Sequence, residues 1–179
     1  MCWDKLKALF KRQPVLLAIP LPHPEESMNP QATLGNTDIK GVIREWYSAW
    51  NVPQINQPFW DSVSISVVDN LYCVFNNQFT KVPALTYADT KEMSIDPMWA
   101  NPGVIAHEMA HISYSFLTII DVAQFNIAYE EVKIDALIKL LESQNQYMKT
   151  NTVELHAEIY RYLGERMPES LKTFYPRLF

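Results

Sequence analysis

The sequence predicts an α+β fold: a small, mostly antiparallel sheet of three to four strands, followed by three helices. Residues 62–68 alternate strictly between polar and apolar, and turn-forming residues punctuate the stretch up to residue 96. From Asn101 onward the apolar residues recur with helical rather than strand period. With 179 residues, 48% of them apolar, the chain can bury one core without staples.

Residues 1–37 read as an arm and 38–179 as the domain. The opening "MCWDKLKALFKRQPVLLAIPLP" has basic residues and a short apolar run that Pro14, Pro20 and Pro22 interrupt, so it suits neither a signal peptide nor a membrane span. Trp3, Leu6, Leu9 and Phe10 fall on one face of a short basic amphipathic helix. Docking on the domain is the plainer reading of that face, and contact with a membrane surface the sharper one. Residues 14–37, which include His23, form a proline-rich extended arm. Asp38 is placed to cap a helix reaching Trp50, with Ile39, Val42, Ile43, Trp46, Tyr47 and Trp50 along one side.

In the β region, "SVSISVV" is a strand with one buried face, and Asp69-Asn70 a turn. "LYCVFNN" then reads as the returning strand. "ALTYADTKEMSID" supplies a third and a fourth strand around Asp89-Thr90-Lys91. Asn101 is a good N-cap and Pro102 suits the first helical position, so the first helix of the second half starts there. A second helix is expected over 123–142. A third starts near Asn151, with Asn151 and Glu154 spaced as a capping-box variant, and ends near Gly164. Pro168 opens a last short turn and "YPRLF" closes the chain.

The net charge of −5 argues against a nucleic-acid partner. Cys2 and Cys73 make neither a disulfide framework nor a CxxC site, which suggests a reducing, cytoplasmic setting.

The chemistry concentrates in "GVIAHEMAHISY", residues 103–114. His107 and His111 stand four apart, so on a helix both rings share one face and can share a metal ion. Glu108 is placed to reach a metal-bound water from the side. Catalytic zinc takes a third protein ligand. Extended motifs put it six residues after the second histidine, but that position is Leu117, which leaves downstream carboxylates. In the second helix Glu131 interrupts the apolar stripe of Ile127, Ile134, Ile138 and Leu141, where a lone carboxylate needs a cation. Glu130 sits beside Lys133 and can be solvated. Asp135, one turn beyond Glu131, is placed to accept the ring N–H of a ligand histidine.

His107, Glu108 and His111, with Glu131 twenty and Asp135 twenty-four residues after the second histidine, resemble the gluzincin metallopeptidases, whose thermolysin-like block has similar spacing. The chain looks more like the minimal single-domain form, the minigluzincins, than a two-domain enzyme. The resemblance covers about residues 84–141. It implies a zincin-like fold in which an active-site helix, a glutamate helix and a C-terminal helix follow the sheet. It also implies zinc held by His107, His111 and Glu131, Glu108 as general base, and Asp135 orienting His107. An extended peptide or protein substrate would add to a strand in "TYADTKEMS". The sequence departs from the larger family at Glu130, where an asparagine often precedes the third ligand.

An oxyanion donor is sought in "VELHAEIYRYLGE", where His156 and Tyr160 lie one turn apart. The plainer reading of the two is a satisfied, semi-buried histidine and a core tyrosine. Tyr114 and Tyr129 are further candidates.

The expected activity is zinc-dependent hydrolysis of peptide bonds. Two alternatives stand beside it: a zinc-stabilised, non-catalytic binding or regulatory module, and a dedicated protease with one protein substrate. Either terminal segment, the proline-rich arm or "YPRLF", could inhibit the site by lying across it.

Overall fold

The computed structural model describes residues 38–75 and 78–179. The expectations for the basic N-terminal segment, the proline-rich arm and the boundary at residue 37 lie outside the described residues.

Helix α1 (Ile39–Ala49) begins where Asp38 accepts a hydrogen bond from the Gly41 N–H at 2.9 Å. Trp46, fully buried, meets Trp60 of the short helix α2 (Gln57–Asp61) edge to face. Trp50 donates its indole N–H to the Tyr160 carbonyl, fastening α1 to the C-terminal half.

Five strands follow among the described residues: β1 (Ser64–Val67), β2 (Tyr72–Phe75), β3 (Gln78–Lys81), β4 (Ala84–Tyr87) and β5 (Glu92–Ile95). They form a three-stranded sheet in the order β1-β5-β4 and a separate β2-β3 hairpin. β4 and β5 run antiparallel around the expected turn, with Ala84 opposite Ile95. β1 runs parallel to β5. The returning strand is the correction here. β2 pairs forward with β3, not back with β1, because Leu71 and Cys73 bury together with Val82 and Leu85. β1 also has little of the buried face its alternation suggested: Ile65 is half-buried and Val67 exposed. Ala84 and Thr86 are buried on the helical side of β4 and Leu85 on the hairpin side, so both faces of this edge strand are covered.

Helix α3 (Pro102–Tyr114) starts where Asn101 accepts from the Val104 N–H. Every residue from 104 to 113 is buried, which makes it the central helix. The expected single helix over 123–142 is two. Thr118 and Asp121 form a capping box that opens α4 (Ile119–Val132) early. Asp135 accepts from the Leu137 N–H at 2.8 Å and opens α5 (Ala136–Gln144). The apolar stripe is correspondingly not buried as one face: Ile138 is, but Ile127 and Ile134 are 62% and 73% exposed. Helix α6 (Thr152–Leu163) has Asn151 as its cap and packs on α3 more extensively than any other helix does. After α7 (Glu169–Lys172), Tyr175 and Leu178 enter the main core, while Trp60 and Ser113 donate to the Arg177 and Pro176 carbonyls. The "YPRLF" segment thus packs into the core. No described helix is long and apolar enough to cross a membrane.

Gly164 ends α6 with φ +47°, and a Cβ there would lie 2.8 Å from Trp50 Cδ1. Gly164→Ala is expected to cost on the order of 1–3 kcal/mol. The readout is a lower urea midpoint at unchanged m-value.

Candidate metal centre

Two helices far apart in sequence build this site. On α3 the four-residue spacing brings the rings of His107 and His111 together, with Nε2 atoms 2.9 Å apart. From α6, Glu154 approaches both: its Oε2 lies 3.5 Å from His107 Nε2 and its Oε1 3.9 Å from His111 Nε2. His107, His111 and Glu154 form a buried group that could hold a metal ion.

The donors fit a small divalent cation. Tetrahedral bonds of about 2.0–2.1 Å place ligand atoms roughly 3.3 Å from one another, and the observed separations, two of them to different Glu154 oxygens, lie on either side of that value. The charges also fit. Glu108, Glu154 and Glu158 are all essentially buried and bring three negative charges when ionised. Arg161, with Nη1 3.7 Å from Glu158 Oε1, returns one. With the proton of His107 displaced from Nε2, a dication would neutralise the remaining two, and buried carboxylates are costly without a cationic partner.

Around the donors is a supporting layer. His107 Nδ1 lies 2.7 Å from Glu158 Oε1. A carboxylate there keeps the proton on Nδ1 and leaves Nε2 as the donor atom. Asn145, the C-cap of α5, holds the other Glu158 oxygen by donating from Nδ2 at 2.5 Å. Burial disfavours charge on His107, but Glu158, Glu154 and Glu108 outweigh it and raise the pKa to about 10. Burial, together with the nearby His107, drives His111 well below the usual imidazole range, so it stays neutral. Burial raises the pKa of Glu108, against the opposing pull of His107 and of the hydrogen bond from Thr86.

Glu108 lies next to His107 on α3. Thr86 Oγ1 of β4 donates to its Oε2 at 2.5 Å. Its Oε1 is buried without a hydrogen-bond partner among the described residues.

The structure does not bring Glu131 to this group. It is exposed on α4, and the carboxylate that converges on the histidines is Glu154, 43 residues after His111 instead of twenty. Asp135 is exposed too and occupied in capping α5, and Glu158 stands against His107 in its place. Glu130 pairs with Lys133, as its position suggested.

His156 and Tyr160 leave α6 on the side away from Glu154 and Glu158, being two and six residues beyond Glu154. His156 Nε2 bonds to the Phe174 carbonyl, and the ring stacks on Tyr175 at 3.9 Å. Burial lowers its pKa to about 3, although the Phe174 contact opposes this, so the ring is neutral and its Nε2–H is committed to that carbonyl. Tyr160 is buried between Tyr175 and Phe179. Tyr129 donates to Glu142, and Tyr114 packs on the His156 ring.

Glu154, Glu158 and Thr86 were missed in the sequence. The signal available was the pair of glutamates four apart on a capped helix, which repeats one helix later the relation assigned to Glu131 and Asp135. A buried His107/His111/Glu154 group on α3 and α6 is consistent with an HExxH…E zincin-like site. Compared with known protein families, curated proteins and solved structures, the chain has no match.

Glu154→Ala is expected to abolish metal binding while Glu131→Ala leaves it intact, as read by atomic emission on dialysed protein. Glu158→Ala should weaken affinity roughly 10–100-fold. Because His107 holds a proton at pH 7 and a metal at Nε2 must displace it, uptake should release about one proton or more per ion. Calorimetric titration in buffers of different ionisation enthalpy counts the released protons.

Proposed function

We propose that this protein is a zinc-dependent hydrolase of peptide bonds. The observation that carries the reading is the position of Glu108: a buried carboxylate next to His107, with one oxygen anchored and the other unengaged among the described residues. Two imidazoles and a carboxylate favour zinc among the divalent metals. His107, His111 and Glu154 would hold it, and Glu158 and Asn145 would keep His107 in register.

Zinc bound there would supply acidification of water and polarisation of the scissile carbonyl. Glu108 takes the water proton on Oε1 and passes it to the leaving amine nitrogen. β4 is an edge strand of the three-stranded sheet among the described residues, where an extended peptide would add at its exposed end, Tyr87. It overlaps "TYADTKEMS" at Thr86 and Tyr87, and Thr86 touches Glu108, so peptide and base would meet at one strand.

A second reading is favoured by burial. His107, Glu108 and Glu154 have no exposed surface, which suits a metal retained to stabilise a binding or regulatory module. Turnover separates the two readings.

Glu108→Gln is expected to keep its zinc and lose cleavage of peptide substrates by at least about 100-fold, measured as fluorogenic peptide turnover alongside metal content. A zinc-loaded wild-type chain that cleaves neither a peptide library nor a candidate partner protein would support the binding module instead.

A further inference from the structure

We infer that Thr86 is the positioning residue for the carboxylate of Glu108. This rests on the hydrolytic reading and adds to it a residue from the sheet. Thr86 is buried in β4, opposite the buried Met93 of β5, so the sheet ladder fixes its backbone. Its β-branched side chain has few rotamers to choose from. The Oγ1–H meets Glu108 Oε2 at 2.5 Å, the distance of a charge-assisted hydrogen bond.

A glutamate side chain turns about three bonds, and a base that wanders loses reactivity steeply. Displacement by about 1 Å can cost 10²-fold. The Thr86 hydroxyl removes that freedom by engaging one oxygen, which leaves Oε1 as the atom free to carry a proton. Thr86 stands on the edge strand. A peptide that adds at the exposed end of β4 would therefore dock on the strand that holds the base.

The test compares zinc-loaded wild type, Thr86→Val, which keeps the shape and removes the hydroxyl, and Thr86→Ser, which restores it. Thr86→Ala carries the comparison if the valine variant does not fold. The first readout is independent of turnover: calorimetric affinity for acetohydroxamate, a zinc chelator that yields a proton to a carboxylate beside the metal. All variants should retain their zinc. Acetohydroxamate should bind about tenfold more weakly to Thr86→Val and within about twofold of wild type to Thr86→Ser. In peptide cleavage kcat should fall about 10–100-fold in Thr86→Val with KM nearly unchanged, and recover in Thr86→Ser.

Equal acetohydroxamate affinity and equal kcat in wild type and Thr86→Val would overturn the role of Thr86 and leave the hydrolytic reading standing. Faster cleavage by Thr86→Val would overturn it too, by making the hydroxyl a restraint on the base. If acetohydroxamate affinity depends on Thr86 but the wild type cleaves nothing, the positioning role holds and the hydrolytic reading fails.

Discussion

The rest of the structure is organised around buried carboxyl groups. Glu108, Glu154 and Glu158 sit at the junction of α3 and α6 with almost no access to water, and each meets a specific partner. Thr86 donates to Glu108, the two imidazole Nε2 atoms face Glu154, and Asn145, Arg161 and His107 surround Glu158. Partial satisfaction of such a network would be worse than an apolar core. The elements that look peripheral are therefore structural supports. β4 brings the threonine, the end of α5 brings the asparagine, and the dense packing of α3 on α6 keeps the donors within reach of one ion.

Aromatic residues back this polar junction on the side away from the donors. His156, Phe125, Phe174 and Tyr175 pack ring against ring, with Tyr160 and Phe179 beyond them. The backbone of α6 is tied at Tyr160 to Trp50 and at His156 to the Tyr175 hydroxyl. Two histidines four apart on α3 and one histidine on α6 thus have opposite fates. The first two face carboxylates, and the third is neutral and serves packing. Helical phase decides between them.

Local rules recovered what local physics determines. Asp38, Asn101 and Asn151 cap the helices assigned to them because the capping bond spans only three residues. The β4-β5 turn and the α+β order were likewise readable, as was the helix carrying His107, Glu108 and His111. Tertiary choices were not. β2 alternates well enough to pair on either side, and burial of Leu71 and Cys73 with Val82 decided for β3. Glu131 drew attention because it interrupts an apolar stripe, but a stripe shows only that residues could be buried. Ile127 and Ile134 are left exposed when α4 and α5 separate at Asp135. Glu154 was hidden by its own position. Three residues after Asn151, it reads as half of a cap, and indeed its N–H serves that cap while its carboxylate serves the histidines.

The 43-residue separation of Glu154 from His111 also bears on how the protein is made. α3 alone presents two imidazoles, a weak and unselective claim on any metal. The third donor arrives only when a distant helix has docked, and contacts of such long sequence separation form slowly. An ion held by all three donors would therefore enter late, as the seal on a completed fold, and a half-folded chain would hold it poorly.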